Sequence, residues 1–257
     1  MRDLVVETTA GPVQGKALSA GVACFGIPYA SPPIGAQRFL PPQPISVWRE
    51  VRDATRPGPI APQLPSRLAR VMGDFDLAQS EDCLTLNIWT PAIGHKALPV
   101  LVWFHGGAFT TGSGQLPWYS GETLARRGGI VVVTVSYRLG PLGFLYVPGL
   151  VDGNMGLLDQ RAALRWIAAN VARFGGDPRN ITVSGQSAGA RSGLILMGDD
   201  SINNLFHRVV LMSGSFGIRT GSAEAAARTS FEFARALEVD PADLRALQQM
   251  RRCHVKR

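Results

Sequence analysis

The chain has 257 residues, of which 46% are hydrophobic and 18% charged, and it carries a formal net charge of +7. Such a chain can bury a sizeable core, and its longest apolar runs, such as Ile130 to Val135, are far too short to span a bilayer. The positive balance does not define a nucleic-acid binder, because lysine stands only at Lys16, Lys96 and Lys256, the arginines are scattered, and no basic stripe is interleaved with aromatics.

Near the start, Leu4–Thr8, Val13–Lys16 and Val22–Gly26 are short strand candidates punctuated by glycine. The proline-rich stretch from Pro28 to Pro65 admits no long regular element, and Ile34, Phe39, Trp48 and Val51 are expected to anchor it as ordered loop. Leu84–Trp89 alternates, which predicts a half-exposed strand near a sheet edge. Leu98–Phe104 and Ile130–Ser136 are nearly continuous apolar runs, as expected of strands covered on both faces. Between Gly156 and Phe174 the apolar residues recur at helical spacing, and Gly175-Gly176 and Pro178 end that helix. Asn180–Ser184 is a strand, Ser187–Met197 a helix of small residues, and His207–Met212 the last convincing strand. Two helices follow, one capped by Ser222 and running to about Leu237, the other with Asp240 as cap, Pro241 in its first turn and Asp243 as an acidic third residue. Alternation of strand and helix predicts an α/β protein with a mostly parallel sheet and helices on both faces. It stops near residue 250 without a closing strand.

Two places carry chemistry. Gly185-Gln186-Ser187-Ala188-Gly189 matches G-x-S-x-G with a strand before it and a helix after it. That context lifts a serine hydroxyl above the sheet on a strained turn and aims helix N–H groups at developing negative charge. His105-Gly106-Gly107-Ala108-Phe109 follows directly on a strand, and its small residues leave backbone N–H groups uncovered for a tetrahedral oxyanion. Alone, each is also compatible with an ordinary glycine turn. In this order they point to a serine nucleophile with its oxyanion hole.

A longer series of motifs gives the family. Gly26-Ile27-Pro28-Tyr29-Ala30, Arg38-Phe39, Glu81-Asp82-Cys83-Leu84-Thr85-Leu86-Asn87-Ile88-Trp89, Tyr137-Arg138-Leu139-Gly140, Gly156-Leu157-Leu158-Asp159-Gln160, Phe174-Gly175-Gly176-Asp177-Pro178 and Met212-Ser213-Gly214-Ser215 surround the two sites in order. Together they resemble the type-B carboxylesterases, the group of para-nitrobenzyl esterases and cholinesterases. The resemblance implies an α/β-hydrolase fold occupying residues 1–257 as one domain. It also implies a serine carboxylesterase acting on a small-molecule ester through an acyl-enzyme, with Ser187 as nucleophile and the N–H groups of Gly107, Ala108 and Ala188 as oxyanion hole. It suggests a structural ion pair between Arg38 and Glu81.

Three departures from the family pattern stand out. Gln186 occupies a position that is usually glutamate. Ala61 replaces, in Gly58-Pro59-Ile60-Ala61-Pro62-Gln63, the cysteine that usually bridges Cys83, so Cys83 is expected to be free. The third concerns the base. Catalysis needs a histidine, oriented by an acid, and in α/β-hydrolases both follow the serine. After Ser187 come only His207, which enters its strand at the end away from the serine, and His254, in a basic tail. His95 lies in a polar loop, and His105 belongs to the oxyanion loop.

The acid, the histidine and the closing strands are therefore expected outside these residues, and the chain is read as truncated at its C-terminal side. Two alternatives remain, an inactive fragment and a non-catalytic binding module of the same fold. No metal, nucleotide or other cofactor is implied, since there is neither a ligand cluster nor a phosphate-binding glycine pattern. Cys24, Cys83 and Cys253 match neither a disulfide framework nor a zinc site, and residues 1–9 show no signal-peptide pattern, so a cytoplasmic location is expected.

Overall fold

The structure, a computed structural model, describes residues 4–66, 77–94, 96–217 and 221–249. His95, Cys253 and His254 lie outside the described residues. Ten strands occur among them. Val5–Glu7 (β1), Pro12–Gln14 (β2) and Arg52–Asp53 (β5) form a small three-stranded sheet. The main sheet has seven: Lys16–Ala17 (β3), Val22–Pro28 (β4), Thr85–Thr90 (β6), Leu98–Phe104 (β7), Val131–Val135 (β8), Gly176–Gln186 (β9) and Arg208–Met212 (β10), in the order β10-β9-β7-β8-β6-β4-β3. From β10 to β8 the pairing is parallel, and from β8 to β3 it is antiparallel.

Among the described residues six α-helices accompany the sheet: Glu122–Gly128 (α1), Gly140–Phe144 (α2), Met155–Asn170 (α3), Ala188–Met197 (α4), Ala223–Ala236 (α5) and Leu244–Gln249 (α6). The alternation of β8 decides which face meets which helix. Val131, Val133 and Val135 join the large core with Ala163, Leu164 and Ile167 of α3, whereas Val132 joins Trp89, Ala23 and Ala125 of α1. Every residue of β8 is thus buried, as its apolar run predicts. In β7 only Val100, Val102 and Phe104 are fully buried, and Leu101 and Trp103 are half covered.

Three expectations are corrected. Leu84–Trp89 is not a half-exposed edge strand: β6 is buried along its whole length between β8 and β4. Its polar positions misled because they are buried and satisfied. Asn87 accepts from Gly26 N and donates to Gly114 O and Thr134 Oγ1, and Thr85 Oγ1 accepts from Gln115. Of the four expected loop anchors, Phe39 and Trp48 pack inward, but Ile34 and Val51 are each about half exposed, at 52% and 51%. At the last helix, Asp243 is the cap, with Oδ1 accepting from Ala246 N, while Asp240 only turns the chain ahead of it. Ser222 caps α5 as expected, accepting from Ala225 N.

Two ion pairs pin loops to this frame. Arg38 grips both carboxylate oxygens of Glu81 at 2.5 Å, as the family resemblance suggests, and donates a further bond to Gln248 O. Arg138 does the same to Asp159 of α3, at 2.8 and 2.7 Å, and its remaining nitrogen reaches Leu40 O. Both side chains of that second pair are essentially inaccessible. Removing one member of a fully buried pair strands the other charge, at a cost of roughly 3–5 kcal/mol. Asp159→Ala is therefore expected to lower the stability of the chain by about that much in urea unfolding. The double replacement Arg138→Met/Asp159→Leu should lose clearly less, because no charge is left unpaired.

Candidate active site

Strand β9 runs toward Gln186 and helix α4 begins at Ala188, so Ser187 alone makes the turn. It does so at φ 55° and ψ −116°, a conformation that costs a non-glycine residue of order 1–3 kcal/mol. Backbone contacts hold it there. Ser187 N donates to Met212 O at 2.9 Å, and Ser187 O accepts from Arg191 N at 3.0 Å. A Cβ on Gly185 would overlap the Gly189 carbonyl, and one on Gly189 would overlap the Phe104 carbonyl at the end of β7. The first turn of α4 therefore rests directly on strand backbone, and only glycine permits that approach.

The loop after β7 lies against this turn. A Cβ placed on Gly106 would stand 3.2 Å from Ser187 Cβ and 2.6 Å from Gln186 Oε1. Gly107, Ala108 and Phe109 then follow at φ 115°, 54° and 60°. In a planar trans peptide the N–H points opposite to the preceding carbonyl, so whatever holds one aims the other. Gly106 O is held by His105 Nδ1 at 2.8 Å, which directs Gly107 N–H the other way. Gly107 O is held by Thr110 N and Thr111 N, both at 3.0 Å, which directs Ala108 N–H outward. Ala188 N–H is the first of a helix and points back along its axis. Among the described residues, no protein acceptor takes the N–H of Gly107, Ala108 or Ala188.

His105 is a structural element of this loop. Its Nδ1 faces a carbonyl, which only accepts, so Nδ1 carries the proton. Its ring stacks on Tyr137 with centroids 4.3 Å apart, and Tyr137 donates its hydroxyl proton to His105 O at 2.7 Å. Nε2 is buried and has no partner among the described residues, Ser187 included. Burial depresses the imidazole pKa from 6.5 to about 4, so the ring is neutral at pH 7. His207 is equally misplaced to serve Ser187. Its backbone N–H donates to Ile181 O and its Nδ1 accepts from Ile181 N, in the middle of β9, where β10 begins to pair with it. The register pairs Met212 with Gln186 at the other end, roughly 20 Å away for six residues of strand.

The loop after β7 thus backs onto the Ser187 turn at Gly106, and no histidine among the described residues is bonded to Ser187. A cavity of about 320 Å³ lies elsewhere: Ile27, Ile45, Arg52 and Asp82 are among its lining residues, and neither Ser187 nor the 105–109 loop is. Two side chains that hold the 105–112 stretch by hydrogen bonds, Tyr137 and Gln63, stand in quoted motifs that gave them no role. Tyr137 was visible only as part of Tyr137-Arg138-Leu139-Gly140, with no sign of the stack. Gln63 stood beside the missing cysteine position, with nothing in its spacing to indicate a role.

An open α/β sheet with a strained serine between strand and helix, faced by a glycine loop, defines an α/β-hydrolase fold. The chain belongs to the carboxylesterase family, whose sequence profile matches residues 2–257. It is 44% identical over 247 residues to a para-nitrobenzyl esterase of Bacillus subtilis (strain 168), covering 95% of this chain and 50% of that protein. It is 45% identical over 224 residues to an acetylcholinesterase of Bungarus fasciatus, covering 82% of this chain and 37% of that one. A solved Geobacillus stearothermophilus carboxylesterase superposes with a TM-score of 0.90 at 42% identity, over 98% of this chain and 52% of its own. The chain spans about half the length of three curated relatives that it matches.

The buried imidazole makes a pH prediction. Unfolded, His105 takes up a proton as pH falls through 6.5, whereas folded it resists until about 4. The unfolded state binds more protons in between, so stability falls as pH is lowered through that window, by up to about 3 kcal/mol. Urea midpoints measured from pH 7 to pH 4 should show this decline. A His105→Gln chain, whatever its absolute stability, should lose that part of the slope.

Proposed function

We propose that these residues are the nucleophile-bearing part of a serine carboxylesterase of the α/β-hydrolase fold, in which residues 1–257 belong to one domain. Ser187 Oγ attacks the carbonyl of a small-molecule ester, and the developing oxyanion is received by the N–H groups of Gly107, Ala108 and Ala188. The alcohol leaves, an acyl-serine forms, and water releases the acid. The observation that supports this reading is a serine held at positive φ at the start of α4, with the glycine loop after β7 packed against it and no protein acceptor for the N–H groups of Gly107, Ala108 and Ala188 among the described residues. Each such donor contributes about 10²–10³ in rate in serine hydrolases. The chemistry calls for no metal or organic cofactor.

The general base must take the Ser187 proton, and neither His105 nor His207 is placed to do so. We assign the base and the acid that orients it to polypeptide outside these residues, in keeping with relatives about twice as long. The names of those relatives support an ester substrate. The free, buried thiols of Cys24 and Cys83 support a reducing compartment such as the cytoplasm. Burial pushes the Cys24 thiol up to about 12, so it stays protonated and unreactive.

The test is labelling with a fluorophosphonate, followed by mass spectrometry of the modified peptide. The parent protein should be labelled on the peptide containing Ser187, and Ser187→Ala should abolish this. The 257-residue chain should react at least about 10³-fold more slowly, as expected for a serine enzyme without its base. Labelling elsewhere in the parent, or none, would overturn the assignment of the nucleophile. Labelling of the isolated chain at the parent's rate would overturn the assignment of the base to another segment.

A further inference from the structure

We propose that Gln63, from the proline-rich segment, is a positioning residue that sets the geometry of the oxyanion loop. This rests on the ester-hydrolase reading of Ser187. The side-chain amide of Gln63 is buried, and it pairs with the backbone of Gly112 as a neighbouring strand would. Oε1 accepts from Gly112 N at 2.7 Å, and Nε2 donates to Gly112 O at 2.9 Å. The second Nε2 proton goes to Ala61 O at 3.0 Å, so the amide makes every bond it needs to hold one orientation. The backbone is fixed as well: Gln63 N donates to Gln79 Oε1 at 3.1 Å.

What Gly112 touches gives the clamp its consequence. It sits at φ 103°, and a Cβ there would stand 2.5 Å from His105 Nδ1 and 2.6 Å from Gly106 O. Gly112 therefore backs directly onto the bond between His105 Nδ1 and Gly106 O, the bond that aims Gly107 N–H. The neighbouring Thr111 supplies one of the two N–H groups that hold Gly107 O and so aim Ala108 N–H. A single side chain, about fifty positions away in sequence, thus pins the residue against which both oxyanion donors are oriented.

A donor set misplaced by about 1 Å loses on the order of 10²-fold in rate. Gln63→Leu keeps the bulk and removes all three side-chain bonds, and Gln63→Glu is isosteric. When protonated, the glutamic acid can accept from Gly112 N and donate to Gly112 O, and when ionised it can only accept. In the parent protein, phosphonylation of Ser187 should fall at least about tenfold in Gln63→Leu, with the ratio to wild type independent of pH. The corresponding ratio for Gln63→Glu should rise as pH is lowered, because only protonation restores the clamp. In substrate turnover the loss should fall on kcat and leave KM nearly unchanged.

A second readout needs no activity. In the 257-residue chain, the Gly107 and Ala108 amide resonances should move in Gln63→Leu, and Gly112 N–H should exchange faster, while amides of β8 and α3 keep wild-type positions. Unchanged Gly107 and Ala108 resonances in a folded Gln63→Leu chain would overturn the proposal. So would two variants that depress phosphonylation equally at every pH. A wild-type parent that is not labelled at all would instead count against the ester-hydrolase reading, and the clamp would then be judged on the amide resonances alone.

Discussion

The site depends on one strained residue. Ser187 holds a φ of 55° at the junction of β9 and α4, and nothing in a serine side chain favours that conformation. The surrounding backbone imposes it. Gly189 lies on the Phe104 carbonyl, Gly185 lies on Gly189, and the serine's own N–H is taken by Met212 O from the next strand. These contacts join three adjacent parallel strands at one end, so the strain is set against the packing of the sheet itself. A methyl group on either glycine would separate helix from strand and release the turn.

The remaining architecture keeps that junction fixed. Burying β8 on both faces places β7 and its glycine loop beside β9, within reach of the serine. Tyr137, immediately after β8, reaches across to hold His105 by stacking and by a hydrogen bond. Arg138, the next residue, ties the same stretch to α3 through Asp159. At the far side of the site the frame is open. β10 ends the order of the sheet, Val210 and Met212 are 46% and 39% exposed, and no described strand pairs with its outer edge. Ser187 is thus held by well-braced elements, while the outer edge of β10 is unpaired among the described residues.

Much of this was legible in the residues, and the misses have physical reasons. The β8 run and the G-x-S-x-G turn announced themselves because burial on both faces and a forced close approach each leave a compositional mark. Thr85 and Asn87 carried the opposite message: a polar residue reads as exposed until its buried partners are known, and those partners are far away in sequence. Ile34 and Val51 erred the other way, since an apolar side chain in a loop need not be an anchor. The hydrogen bonds of Gln63 to Gly112 left no local trace. The partner is a backbone N–H and C=O at Gly112, and backbone groups are the same at every position. The neutral state of His105 was hidden for a similar reason, because it follows from enclosure and not from neighbours in the chain.

The central claim is that the N–H groups of Gly107, Ala108 and Ala188 share one oxyanion with Ser187. The direct measurement is a crystal structure of the parent protein after phosphonylation. The account predicts a phosphorus bonded to Ser187 Oγ and a phosphoryl oxygen about 2.7–3.1 Å from all three nitrogens, with Ser187 still at positive φ. A phosphoryl oxygen turned to solvent, or held by a side chain and none of those N–H groups, would contradict it.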